Sequence, residues 1–107
     1  MTRRGDLVTV SLQGNYGKPR PALIVQSDLL MDLPSVVLCL MSSDLRNAAF
    51  RVTIEPAPSN GLKALSQVMV DKLATLPRAK LGPAFGRLDD DAMKRVDRAL
   101  LLVTGLI

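Results

Sequence analysis

The sequence predicts one mainly β domain over residues 1–107, in which a largely antiparallel sheet curls into a small barrel and an amphipathic helix follows at the C-terminal end. Two observations support this fold class. Five short segments have the apolar patterns of strands, and short segments rich in glycine, proline, serine and asparagine separate them. The last segment instead repeats its apolar residues every three or four positions, which is typical of a helix.

The strands differ in how their apolar residues are arranged. Residues 6–13 (DLVTVSLQ) alternate, which predicts a first strand with one buried face. Residues 22–27 and 35–42 are continuous apolar runs, which favours strands buried on both faces. Residues 48–56 alternate with Phe50 inward, and a fifth strand is predicted in residues 66–76.

The helix is predicted within residues 88–105 (LDDDAMKRVDRALLLVTG), with Asp89 as its N-cap and Gly105 at its end. Its apolar face is expected to consist of Met93, Val96, Leu100 and Val103. The spacing also predicts the ion pairs Asp90–Lys94 and Asp91–Arg95. Acidic residues favour the positive end of a helix, so the run of three aspartates requires no metal site.

Composition limits the classes of function. The chain has 14 Lys and Arg against 10 Asp and Glu, a net charge of +4, which suits a polyanionic partner but equally serves solubility. The absence of histidine excludes a histidine base, a Ser-His pair and histidine metal sites. Aromatic residues make up only 3%, which argues against binding nucleic acid by base stacking.

The expected compartment is a reducing cytoplasm. The single cysteine, Cys39, cannot form an internal disulfide. No leader pattern and no apolar run of membrane-spanning length is found, so we expect neither secretion nor membrane insertion.

Arg20 is the first candidate functional residue. Pro19 and Pro21 fix their own backbone, and each proline restrains the residue before it to extended geometry. A guanidinium held in this way can give two parallel hydrogen bonds to a phosphate and stabilise charge that develops on it. The alternative is an arginine that sits in a rigid loop without a functional role.

Two further candidates lie at predicted strand ends. Ser42 and Ser43 follow an apolar strand, where a hydroxyl can position a phosphate or simply bond its own backbone. Asp71 and Lys72 are the only charged pair within the apolar strand pattern. They suit a general base and a phosphate-binding cation, or else a structural ion pair at a sheet edge.

These motifs, in this order, resemble the MazF/PemK (Kid-like) family of toxin–antitoxin ribonucleases. The similarity runs over nearly the whole chain and is carried by RRGDLVTVSL (3–12), KPRPALIV (18–25), LCLMSS (38–43), SQVMVDKLATL (66–76) and the tail from residue 81 to residue 106. The resemblance implies a twisted antiparallel sheet of SH3-like barrel type with a C-terminal helix. It also implies a homodimer that cuts single-stranded RNA without a metal or other cofactor, and a cognate antitoxin whose flexible segment covers the site.

The resemblance also assigns roles. The family's catalytic arginine corresponds to Arg20, its threonine at the end of the third strand to Ser42, and its acidic residue to Asp71. Asp71 would take the proton of the ribose 2′-hydroxyl, Arg20 would stabilise the phosphorane, and Ser42 would hold a non-bridging oxygen, giving a 2′,3′-cyclic phosphate. The residues expected to bind the RNA are Lys18, Ser43, Arg46 and Lys72.

The chain departs from the family pattern at four places. The Q-x-R-T motif that often follows the acidic position is replaced by Lys72, Leu73, Ala74 and Thr75, where Lys72 can supply a cation. Serine replaces threonine at position 42, which keeps the hydroxyl. Met69 stands where Kid-like members have an arginine, which removes one source of a general acid. The loop from Gln13 to Pro19 is short for the family.

A rival interpretation is a CcdB-like DNA gyrase poison, which shares this fold and is not a nuclease. The stretch from residue 24 to residue 43 resembles CcdB. However, CcdB-like proteins act through a Trp-Gly-Ile C-terminus, whereas this chain ends in Thr104, Gly105, Leu106 and Ile107 and has no tryptophan.

Overall fold

The computed structural model describes residues 2–11 and 18–107, so the predicted short loop from Gln13 to Pro19 lies mostly outside the described residues. Within these residues the structure has six strands, one α-helix and two short 3-10 helices. The strands are β1 (Asp6–Ser11), β2 (Pro19–Ile24), β3 (Ser35–Ser42), β4 (Arg51–Ile54), β5 (Ser66–Pro77) and β6 (Leu81–Arg87). The α-helix is α1 (Asp90–Val103), and the 3-10 helices are Asp28–Leu30 and Arg78–Lys80.

The six strands form one antiparallel sheet in the order β4-β5-β3-β2-β1-β6. Three strands lie between β5 and β6, yet only the 3-10 helix Arg78–Lys80 connects them. The sheet must therefore curl strongly to bring these two strands together, and β4 and β6 remain as its two edges. The predicted mainly β fold with a C-terminal helix is confirmed.

Apolar residues fill both faces of the sheet. The core on the helix side, here called the helix-side core, combines sheet residues such as Leu23, Cys39 and Val68 with Val96 of α1. The far-side core consists of Val8, Val10, Ala22, Ile24, Val36 and Leu38. Leu7 belongs to the first core and Val8 to the second, and neither is exposed. The prediction of one buried face for the first strand is therefore wrong, because the curled sheet covers both faces of β1.

The sequence patterns missed strand β6. Its two glycines and its proline are typical of a loop, so the sequence predicted none of the strand. An edge strand with bulges can nevertheless contain glycine and proline. Both glycines also permit close approach. A Cβ atom at Gly82 would lie 2.3 Å from Oγ1 of Thr9, and one at Gly86 would lie 2.1 Å from the carbonyl oxygen of Asn60.

The helix follows the prediction at both ends. The side chain of Asp89 accepts a hydrogen bond from the amide of Ala92 at 2.8 Å, and Gly105 has a φ of 78°. The amide of Leu106 reaches the carbonyl of Leu101 at 2.9 Å, as in a Schellman motif. The buried residues are Ala92, Val96 and Ala99.

Other details of the predicted helix and of the fourth strand differ. Val103 is exposed, because the final turn of α1 extends past the sheet. The predicted pairs Asp90–Lys94 and Asp91–Arg95 are not among the salt bridges of residues 2–11 and 18–107; Arg95 instead donates to the backbone oxygen of Thr53. Phe50 precedes β4 and is 37% exposed, so it does not point into the core as predicted.

The N-terminal RRGD motif holds the sheet and the helix together. Arg4 forms an ion pair with Asp97 of α1 and donates to the carbonyl of Val25 at 3.0 Å. Asp6 is buried and forms an ion pair with Arg87 of β6. No helix in the described part of the chain is long and apolar enough to cross a membrane.

Candidate active site

Arg20 lies at the start of β2, on the sheet face opposite α1. Residues two apart in a strand share a face, so Arg20 shares its face with Ala22 and Ile24 of the far-side core. Ala22 pairs with Leu40 of β3, and two further steps in the same register place Arg20 opposite Ser42. The sheet register therefore brings together two candidates that the sequence separates.

A cleft of about 410 Å³ opens at this end of β2 and β3. Three of the predicted site residues line it, together with one acidic residue that the sequence did not single out. Its lining is Arg20, Pro21, Leu40, Met41, Ser42, Ser43, Asp44, Ser66 and Met69.

Arg20 has no carboxylate partner among the described residues. The salt bridges of residues 2–11 and 18–107 are made by Arg4, Arg46 and Arg87. Arg20 is exposed at the cleft, and its backbone is held between two prolines. Its guanidinium is therefore available to an incoming anion.

The Ser42 hydroxyl already has one hydrogen bond. Its Oγ accepts from the backbone amide of Asp44 at 3.0 Å, as expected for a serine at a strand-to-turn boundary. This bond uses a lone pair and leaves the hydroxyl proton free to donate. Ser42 can therefore bond its own backbone and donate to an anion oxygen in the cleft at the same time.

Asp71 and Lys72 do not line the cleft, although Met69 of the same strand does. Strand β5 does not end at this pair as predicted but continues to Pro77. Between the pairs Met41–Val68 and Cys39–Leu73, four residues of β5 (69–72) stand opposite one residue of β3. The side chains of Asp71 and Lys72 are exposed on this bulge. The two residues form no salt bridge with each other among the described residues, so the alternative of a structural ion pair is not observed there.

The two remaining candidates are cations at the surface. Lys18 is exposed and directly precedes β2. Arg46 pairs with Asp44 at 3.0 Å, and both side chains are largely exposed. Asp44 therefore lines the cleft and also pairs with Arg46. No local sequence pattern indicated this position.

Gln67 holds the segment after β3 in place. It is buried, its Oε1 accepts from the amide of Arg46 at 2.9 Å, and its Nε2 donates to the carbonyl of Arg46 at 2.9 Å and to Oγ1 of Thr53 at 3.1 Å. Its four hydrogen bonds include one from Arg51. The only sequence signal was a polar residue in the apolar strand SQVMV, which the sequence analysis did not use.

Cys39 is not a nucleophile in this fold. Burial raises the pKa of its thiol to about 12, and the negative charge of Asp71 adds to that rise while Arg4 opposes it. A thiol with this pKa is protonated at neutral pH and is therefore unreactive.

The fold is that of a small β protein, a curled antiparallel sheet with one C-terminal helix. Its cleft offers a guanidinium and hydroxyl groups, which are groups that can donate hydrogen bonds to an anion. The family model of the PemK-like, MazF-like toxins of type II toxin–antitoxin systems matches residues 3–104. The chain belongs to this family, which confirms the resemblance found in the sequence.

Known proteins agree with this assignment. The chain is 44% identical over 106 residues to a probable endoribonuclease MazF of Mycolicibacterium smegmatis, with 97% of each chain covered. A mycobacterial endoribonuclease solved in complex with its cognate antitoxin superposes with a TM-score of 0.87 at 24% identity, covering 100% of this chain and 98% of that one. Mycobacterium tuberculosis toxin MazF-mt6 gives a TM-score of 0.82 at 24% identity, covering 94% and 96% of the two chains.

Proposed function

We propose that this toxin is a metal-independent endoribonuclease that cuts single-stranded RNA at short sequences and so inhibits growth and translation. The observation that carries the proposal is that the Arg20 guanidinium, which has no carboxylate partner among the described residues, lines one cleft with Ser42. The name of the 44% identical relative, a probable endoribonuclease, supports the same reaction.

The proposed reaction starts at the ribose next to the scissile phosphate. A carboxylate takes the proton of the 2′-hydroxyl, and the 2′-oxygen attacks phosphorus. The Arg20 guanidinium stabilises the charge that grows on the phosphorane, and the Ser42 hydroxyl donates to a non-bridging oxygen. The bond from phosphorus to the 5′-oxygen breaks, which leaves a 2′,3′-cyclic phosphate.

Two carboxylates compete for the role of base. The family resemblance assigns it to Asp71, which does not line the cleft, and the geometry favours Asp44, which does. The leaving 5′-oxygen takes its proton from water or from a cation such as Lys72. Met69 lines the cleft at the position of the family's arginine, and a thioether has no proton to give.

We further propose a homodimer in the cytoplasm that a cognate antitoxin inhibits. Large apolar side chains at the end of α1 and beyond it are exposed in the single chain, which suits a protein that works as an assembly: Leu101, Leu102, Val103, Leu106 and Ile107. Sedimentation of the purified toxin tests the dimer. The gyrase interpretation is not favoured, since the matched family is that of the PemK-like, MazF-like toxins and the 44% identical relative is named a probable endoribonuclease.

The test is incubation of the purified toxin with a long single-stranded RNA in EDTA, beside Arg20→Ala. We expect discrete fragments that end in a cyclic phosphate. The variant should lose cleavage by about 100-fold or more, because it lacks the charge that stabilises the transition state. Arg20 is exposed, so the variant should keep the unfolding midpoint of the wild type.

Two results would contradict the proposal. Intact RNA across varied substrates, with the toxin still harmful to cells, would redirect attention to gyrase. A destabilised Arg20→Ala protein would show that Arg20 serves the fold.

A further inference from the structure

A second cleft adjoins the candidate active site. It has a volume of about 470 Å³ and shares Pro21 and Ser66 with the cleft of Arg20. Phe85 and Leu62 give it an apolar wall, Lys63 adds a positive charge, and Thr9 adds a hydroxyl. The two clefts therefore adjoin at Pro21 and Ser66, with the Arg20 guanidinium in one and an aromatic side chain in the other.

Phe85 lines this second cleft and is 38% exposed, and the neighbouring turn packs against it. Gly61 has a φ of 68°, and a Cβ atom there would lie only 3.1 Å from Cδ1 of the ring. The backbone of the neighbouring turn thus packs directly against Phe85. A side chain at position 61 would push the two apart.

The turn that supports the ring is itself rigid. Asn60 is buried, its Oδ1 accepts from the amides of Ala57 and Leu62 at 3.0 Å each, and its Nδ2 donates to the carbonyl of Glu55 at 2.9 Å. The amide of Arg87 bonds the carbonyl of Ser59 at 3.0 Å, which fixes the turn to β6. The turn that packs against one side of Phe85 is therefore fixed before any ligand arrives.

We propose that this second cleft binds the base of a nucleotide adjacent to the scissile phosphate, with the Phe85 ring as its stacking surface and Lys63 as a contact to the next phosphate. This inference rests on the proposed ribonuclease function and names the subsite beside the reacting phosphate. A preorganised aromatic face loses little entropy on binding, and every nucleobase has a face that stacks on it. One well-placed ring is sufficient, so the scarcity of aromatic residues in the composition does not exclude stacking here.

The chain supplies a matched control. Phe50 is exposed to the same degree as Phe85, 37% against 38%, but lines neither cleft. We would compare the wild type with Phe85→Leu, Phe85→Trp and Phe50→Leu. Leucine keeps the apolar bulk and removes the ring, whereas tryptophan keeps a stacking surface.

Binding is measured by fluorescence anisotropy with a labelled, mixed-sequence single-stranded RNA whose sugars are 2′-O-methylated. This probe has no attacking hydroxyl, so binding is read independently of cleavage. Phe85→Leu should weaken binding about 5- to 150-fold, the range that base–aromatic stacking contributes. Phe85→Trp should bind as tightly as the wild type, and Phe50→Leu should be unchanged.

The outcomes separate this inference from the proposed function. If Phe85→Leu binds the RNA as tightly as the wild type, the stacking role is overturned. The same result is expected if a segment of the antitoxin, and not the RNA, occupies this cleft. Binding that depends on Phe85, with no cleavage of ordinary RNA by the wild type, would contradict the reaction and support the subsite.

Lys63→Ala provides a test that does not alter the packing around the ring. Lys63 is exposed, so its removal should leave the unfolding midpoint unchanged. The slope of log affinity against log salt should become less steep by about 0.7, the effect of losing one phosphate contact to a single strand. An unchanged slope would show that Lys63 does not contact the RNA.

Discussion

Arg20 and Ser42 show how the candidate site arises from single residues. The two prolines restrict the backbone of Arg20, and this restriction is a local property of the sequence. Its position opposite Ser42 depends on the register of β2 and β3. The hydrogen bond from the Asp44 amide then orients the Ser42 hydroxyl. The neighbouring residues in the sequence therefore determine the backbone geometry of Arg20. The pairing of strands in the sheet determines which side chain lies opposite it.

The choice between the two carboxylates can be decided by matched substitutions. If Asp71 is the base, Asp71→Asn should lower the cleavage rate by about 100-fold or more with little change in RNA affinity, since general bases contribute 10²–10⁴-fold. If Asp44 is the base, Asp44→Asn should lower the cleavage rate by that amount instead. Single-turnover cleavage measured against pH separates them, because the variant that removes the base also removes the acidic limb of the profile.

Cys39 predicts a pH dependence of stability. Its pKa is about 12 in the fold against 9.0 for the free group. Between these values the unfolded thiol loses its proton while the folded thiol keeps it. The unfolded state then binds fewer protons, so the free energy of unfolding falls as pH rises, by up to about 1.4 kcal/mol per pH unit.

Denaturant unfolding of the wild type and of Cys39→Ala, at several pH values above 9, measures this effect. The variant should be less stable near neutral pH because of the cavity it creates, but its stability should fall less steeply with pH. If the free energy of unfolding falls equally with pH in the wild type and in Cys39→Ala, the thiol ionises within the fold.

At the scale of elements, β5 and β6 carry the features that sequence patterns could not resolve. The Asp71–Lys72 pair reads as a strand end because charges interrupt an apolar run. In the structure these residues form a bulge, and the strand continues beyond them. Strand β6 reads as a loop because its glycines are common in turns. Those glycines are required instead by backbone and side chains that approach from β1 and from the turn at Asn60.

Two glycine substitutions test this interpretation. Gly86→Ala would place a Cβ atom 2.1 Å from a backbone oxygen that cannot move aside easily, so we expect a loss of at least about 1–3 kcal/mol of unfolding free energy. Gly105→Ala meets no atom within 4 Å and suffers only from its φ of 78°, so the loss should be about 1 kcal/mol. Urea unfolding of both variants gives the comparison. A larger loss for Gly105→Ala than for Gly86→Ala would mean that the backbone of Asn60 can move away from position 86.

At the scale of the whole molecule, cations lie at two adjoining clefts. Arg20 lines the first cleft, Lys63 lines the second, and the exposed Lys18 directly precedes β2. The net charge of +4 alone was compatible with solubility or with a polyanion. The position of these cations at the two clefts favours the polyanion.

Salt dependence tests this arrangement. RNA affinity should fall linearly with salt on logarithmic axes, and Lys18→Ala should reduce the slope by about 0.7. Lys94→Ala is the matched control, since Lys94 lies on α1, across the sheet from Arg20. Affinity that does not respond to salt, or equal effects of the two variants, would return the charge surplus to a role in solubility.

The sequence by itself determined whatever depends on neighbouring residues. Apolar spacing predicted five of the six strands, Asp89 and Gly105 predicted the helix ends, and the family motifs pointed to Arg20. Only the tertiary structure decided that β1 is buried on both faces, that Asp44 lines the cleft while Asp71 does not, and that Gln67 fixes the segment after β3. It alone also placed Phe85 in a cleft that adjoins the cleft of Arg20. The physical reason is that register, bulges and curl arise from pairing between distant segments, whose energies no local pattern records.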